Sequence, residues 1–122
     1  MNYRKLGKTN FNISEIALGT WQVGGKWGSP FNDKTADELI NTAIDNGVNF
    51  IDTAAGYGNG RSEKIIAGVL KSRNEKIIVC TKTPPIEGQW PPSPYDKPDD
   101  RSKIDQQIIS TTDNNPFEVV YF

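Results

Sequence analysis

Apolar and polar positions alternate with clear periods along the first two thirds of the chain, and each change of period predicts an element. Ala36, Leu39, Ile40, Ala43 and Ile44 recur at helical spacing, while Lys34, Asp37, Glu38, Asn41 and Asp45 face away. This predicts an amphipathic helix over Asp33–Asn46 with a solvated polar face. Asn32 or Asp33 can cap its start, Thr35 with Glu38 offers a capping-box alternative, and Gly47 can end it. Ile65, Ile66, Val69 and Leu70 share one face and predict a second helix, opened by Ser62 and Glu63. Short apolar runs bounded by turn residues predict buried strands at Ile16–Leu18, at Phe50–Ile51 and at Ile77–Thr81. Ahead of them, two short runs around Gly7-Lys8-Thr9-Asn10, anchored by Leu6, Phe11 and Ile13, predict a hairpin over Tyr3–Ser14. Strands alternating with helices imply parallel pairing, so the strand exits share one edge of the sheet.

The pattern stops after Lys82. Residues 83–100 hold six of the eight prolines, with Trp90 and Tyr95 among them. Such a stretch is neither helix nor central strand, and a loop of that length is either functional or a linker. Ile104, Ile108 and Ile109 suggest a short helix over Arg101–Ile109, broken by the polar run that ends at Pro116. Phe117–Phe122 then reads either as a fourth strand or as an exposed, β-prone end.

Composition narrows the chemistry. A net charge of −1 gives no electrostatic case for nucleic acid or an anionic membrane. The start lacks the apolar core of a secretory signal and no stretch approaches the roughly 20 apolar residues of a membrane span, so a soluble cytoplasmic protein is the expectation. One cysteine and no histidine exclude an internal disulfide, a multi-Cys metal cluster, Ser-His and Cys-His nucleophile pairs and His-based zinc sites within this chain, and we expect no metal. Cys80, in an apolar strand, reads as a packed thiol.

The candidate chemistry gathers at two strand exits. Asp52 ends one predicted strand, Tyr57 lies in the Gly-rich loop beyond it, and Lys82 leaves the next strand. A free phenol titrates at about 10, and a neighbouring ammonium favours the phenolate, so an acid, a phenol and an ammonium on one rim make a proton-transfer site. In isolation Asp52 would be read as a turn aspartate and Tyr57 as a packing tyrosine. The run Gly56-Tyr57-Gly58-Asn59-Gly60 also invites a dinucleotide-loop reading, but Arg61 stands where that fingerprint requires its third glycine. Gly7-Lys8-Thr9 lacks the upstream glycine of a phosphate loop.

Leu18-Gly19-Thr20-Trp21, Phe50-Ile51-Asp52-Thr53-Ala54 with Tyr57-Gly58, Ser62-Glu63 and Thr81-Lys82 occur in the order in which the aldo-keto reductase family carries them. The chain resembles the N-terminal part of such a reductase from about Tyr3 to about Lys103. The resemblance implies an α/β fold, a partial (β/α)₈ TIM barrel comprising the N-terminal hairpin and the first three or so βα units. A whole barrel of this kind needs roughly 250 residues, so the chain is expected to be a truncated member. Its organisation would be 1–82 barrel, 83–100 a Pro-rich active-site loop or linker, and 101–122 a divergent tail.

By the same resemblance Tyr57 is the proton donor, Asp52 and Lys82 tune it, and NADPH supplies hydride to an aldehyde or ketone. Gly19, Thr20, Trp21 and Asp52 would meet the cofactor, and Trp21, Trp27 and Trp90 the substrate. On residues alone Trp21 would be a core aromatic, while Trp27, in a loop on the same rim, either helps shape a substrate pocket or is an exposed loop aromatic. The family's fourth catalytic residue, a histidine, has no counterpart here. Two functions therefore stand side by side: a carbonyl reductase, or a catalytically inactive barrel fragment that is unstable or self-associates through its open edge.

Overall fold

The computed structural model of the chain describes residues 1–25 and 31–82, and the backbone of 118–121. Trp27, Trp90, the Pro-rich stretch and the helix expected over Arg101–Ile109 lie outside the described residues.

The hairpin forms as expected. Strand β1 (Tyr3–Lys5) pairs antiparallel with β2 (Asn12–Ser14), with Tyr3 opposite Ser14 and Lys5 opposite Asn12. Gly7-Lys8-Thr9 falls in the turn, where the Thr9 hydroxyl donates to the Leu6 carbonyl at 2.6 Å. The chain then bends rather than running straight into a strand. The Ser14 hydroxyl donates to the Ile16 carbonyl at 2.7 Å, and Ile16 is 62% exposed. The expected buried strand at Ile16–Leu18 is thus corrected: only β3 (Leu18–Gly19) is strand.

A 3₁₀ turn over Gln22–Gly24 leads toward α1 (Asp33–Asp45). The Asn32 side chain caps this helix by accepting from the Thr35 N–H at 2.8 Å, which resolves the capping alternatives. At the other end Gly47, at φ +87°, donates to the Ile44 carbonyl and Val48 donates to the Ala43 carbonyl. This is a Schellman closure, and it needs a residue that tolerates the left-handed backbone. Strand β4 (Phe50–Asp52), helix α2 (Arg61–Leu70) and strand β5 (Ile78–Thr81) follow. Ile77, expected inside β5, lies just before it but is buried.

Strand β6 (Glu118–Tyr121) joins the far edge, so the run at the chain's end does pair as a strand. The sheet order is β3-β4-β5-β6 with every pairing parallel, and the register sets Gly19 beside Asp52, Asp52 beside Cys80 and Thr81 beside Tyr121. Consecutive parallel strands joined by helices are the repeating unit of a β/α barrel.

The core lies between sheet and helices. Ile40 and Ile44 of α1, Ile66, Val69 and Leu70 of α2, and Ile51, Ile77 and Val79 form one buried cluster, with Leu18 and Ile65 packed against it. Because side chains alternate along a strand, Ile51 and Val79 point to the helices while Asp52, Cys80 and Lys82 share the opposite face. The polar face of α1 is less idle than its pattern suggests. Asp45 and Asn41 accept from the Arg73 guanidinium at 2.6 and 3.0 Å, and Glu75 accepts from it at 2.6 Å, tying α1 to the link between α2 and β5. No described helix is long and apolar enough to cross a membrane.

Candidate active site

The two-residue period of the strands and the parallel register bring Asp52 and Lys82 to the same face at the same edge. The Lys82 ammonium donates to Asp52 Oδ1 at 2.6 Å and to the Thr53 carbonyl at 2.9 Å. It also lies 5.4 Å from the centre of the Tyr57 ring. The three residues singled out for proton transfer are therefore gathered in space. Burial works against the charged form of Lys82. The hydrogen bond and charge of Asp52, followed by Tyr57 and Cys80, outweigh it, and the ammonium titrates above the ordinary lysine range. Lys82 is thus a fixed positive charge at neutral pH.

Tyr57 is placed by its backbone. Its N–H donates to the Ala54 carbonyl at 3.0 Å, and its own carbonyl accepts from the Ser62 N–H at 3.3 Å at the head of α2. From beneath, Gly24 presses against this turn. A Cβ on Gly24 would stand 2.6 Å from the Tyr57 carbonyl carbon and 2.7 Å from the Gly58 nitrogen. Only a glycine lets the two loops approach so closely.

Trp21 is half exposed at the same rim, its ring centre 6.5 Å from that of Tyr57 with the planes tilted by 33°. Gly19 is exposed and has open space where a side chain would begin. Thr20 is placed differently: it is fully buried, and both its hydroxyl and its N–H donate to the Asp52 carbonyl, at 2.9 and 3.0 Å. Cys80 is buried beside Asp52. Burial first, and then the carboxylate, push its thiol up to about 11.

Three contacts went unread in the sequence. The Arg61 guanidinium donates to the carbonyls of Val23 and Phe31 and to the Asp33 carboxylate, fastening the loop after β3 to the start of α2. The Thr81 hydroxyl donates to Glu63 at 2.7 Å. Thr53, Ser62 and Thr20 form a chain of buried hydroxyls. Thr20, Thr53, Ser62-Glu63 and Thr81 all stand in the quoted motifs, but nothing in the sequence indicated that they meet one another.

Residues 15–120 match the model of the aldo/keto reductase family. Over 85 residues the chain is 39% identical to the aldo-keto reductase YhdN of Bacillus subtilis (strain 168), a match that covers 68% of this chain and 26% of that protein. Among solved structures it is similar to the aldo-keto reductase AKR11C1 from Bacillus halodurans, at 22% identity and a TM-score of 0.74, over 93% of this chain and 37% of that one. It is also similar to the glycerol dehydrogenase AKR11B4 from Gluconobacter oxydans, at 30% identity and a TM-score of 0.66, over 89% of this chain and 35% of that one. The chain thus spans little more than a third of each of these two solved structures.

Proposed function

Since the chain belongs to the aldo/keto reductase family, we propose that it carries the proton-donating part of a site for NADPH-dependent reduction of an aldehyde or ketone. One observation carries this reading: an ammonium held by Asp52 at 2.6 Å and lying 5.4 Å from the centre of the Tyr57 ring. Tyr57 gives its phenolic proton to the substrate's carbonyl oxygen as that oxygen gains negative charge. Lys82 stabilises the phenolate left behind, and Asp52 keeps Lys82 charged and in place. The product is the alcohol.

A nicotinamide ring fits what this rim offers. The open space at Gly19 and the half-exposed Trp21, its ring tilted by 33° to that of Tyr57, leave room at the rim beside Tyr57. Gly19, Trp21 and the Asp52 region would hold that end of the cofactor, and Thr20 supports it indirectly through Asp52. When bound, NADPH supplies the hydride to the carbonyl carbon. Trp21 also serves as one wall for the substrate.

The direct test follows NADPH oxidation with a panel of aldehydes and ketones. Tyr57→Phe is expected to lower turnover by at least about a hundredfold, the usual scale for a lost general acid, while NADPH binding persists. Unchanged turnover would remove Tyr57 from its role.

The second reading, a catalytically inactive barrel fragment that self-associates, is favoured by β3 and β6 standing, among the described residues, at the outer positions of the sheet. Strand edges there invite self-association. Size-exclusion chromatography separates the readings: a monomer whose fluorescence is quenched by NADPH contradicts the inert fragment, and an aggregate without quenching supports it.

A further inference from the structure

Beneath the rim lies a set of buried polar groups that take no direct part in the proposed reaction. Thr20, Thr53 and Ser62 are each at most 1% exposed. The Thr53 hydroxyl donates to Ser62 Oγ at 3.0 Å, and Ser62 Oγ lies 2.9 Å from Thr20 Oγ1 and 3.2 Å from the Thr20 carbonyl. Thr20 Oγ1 in turn donates to the Asp52 carbonyl at 2.9 Å. A carbonyl can only accept, so the Thr20 proton is committed to Asp52, the Ser62 proton goes to the Thr20 oxygens, and the Thr53 proton goes to Ser62. The chain therefore has one direction.

Its two ends fall on the dipeptide that grips Lys82, because Asp52 Oδ1 and the Thr53 carbonyl are the ammonium's two acceptors. Its middle reaches the other partner, since the Ser62 N–H donates to the Tyr57 carbonyl. Small apolar side chains would fill the same space without any need for hydrogen bonds. Buried hydroxyls are tolerated only when paired, and once paired they specify geometry.

We propose that the Thr53–Ser62–Thr20 hydroxyl chain is a positioning device, with Ser62 as its node, that sets the Lys82 ammonium against the Tyr57 ring. This rests on reading Tyr57 and Lys82 as the proton-donating pair, but its test requires no turnover. The full chain, labelled with ¹³C at lysine Cε, is compared by NMR in wild type, Ser62→Ala, Thr20→Val and Thr20→Ser. The first two substitutions each remove a link, and the last keeps the hydroxyl.

In wild type the Lys82 ε-methylene is expected to carry a ring-current displacement from Tyr57, whose ring centre lies 5.4 Å from the ammonium. In Ser62→Ala and Thr20→Val that displacement shrinks and the Lys82 midpoint falls, because a loosened hydrogen bond to Asp52 favours the ammonium less. Thr20→Ser retains both signals. The proposal is overturned if either removal variant folds with its Lys82 signals unchanged, or if Thr20→Ser shifts them as far as Thr20→Val does. It is also overturned if both removal variants lose cooperative unfolding while Thr20→Ser folds, because the hydroxyls would then serve the fold alone. Failure of the Tyr57 reading shows up separately, as unaltered turnover in Tyr57→Phe with the Lys82 signals intact.

Discussion

Replacing Asp52 with asparagine keeps the shape of the side chain and an acceptor for Lys82, but removes the charge. A hydrogen bond between charged partners is worth about 1.5–3 kcal/mol when well shielded, whereas an exposed ion pair is worth at most about 1 kcal/mol. Here the Lys82 and Asp52 side chains are 41% and 38% exposed, so water screens much of the attraction. The second bond, from Lys82 to the Thr53 carbonyl, survives the substitution. The expected loss is therefore near the lower scale, about 1 kcal/mol, or a fall of about 0.5 M in the urea midpoint for a typical slope. The sign with pH follows from the direction of the Lys82 shift. Because the folded form holds the proton more tightly, the stabilisation is fully present below the unfolded lysine value of about 10.4 and is lost as pH rises through the higher folded value. Urea titrations of wild type and Asp52→Asn near pH 8 and above about pH 11 test both statements. Equal midpoints near pH 8 would refute the claim that the pair stabilises the rim. A gap that persists undiminished above the lysine range would show that the loss came from packing, not charge.

Two further outcomes test the surroundings of this pair. Gly24→Ala sets a methyl group 2.6 Å from the Tyr57 backbone, where only a backbone shift can relieve the contact, so the variant should lose about 1–3 kcal/mol in a urea titration; wild-type stability would mean that the two loops are not packed as described. Cys80, with its thiol pushed up to about 11, should resist iodoacetamide near pH 9 in the folded chain and react promptly once denaturant is added. Because the folded thiol holds its proton more tightly than a free one, stability should decline as pH climbs from the ordinary thiol range toward 11, and rapid alkylation of the folded chain would contradict the burial.

What the sequence made legible, and what it did not, follows from how far apart in the chain the interacting groups lie. Helix α1 could be read almost to the residue, because its stripe, its Asn32 cap and its Gly47 closure all act within one or two turns of where they are written. The strand at Ile16–Leu18 was over-read for the opposite reason. Three apolar residues in a row satisfy any local rule for a strand, yet the bend at Ile16 is set by a Ser14 hydroxyl whose neighbours are fixed by Asn49, 35 residues away. The polar face of α1 likewise looked solvated because Arg73, which uses it, lies 28 and 32 residues further on. Asp52, Tyr57 and Lys82 were an exception among distant contacts, since parallel strands of known direction deliver their exits to one edge regardless of loop detail. The hydroxyls beneath them had no such guide. A threonine after a strand, or a serine at a helix start, is ordinary in each place, and only the fold reveals that three of them meet. The charges that would do the chemistry can thus be inferred from topology, while the groups that set their separation require coordinates. For that reason a substitution at Ser62, unremarkable by any local rule, probes the site more sharply than one at a charged residue whose importance is visible from the chain alone.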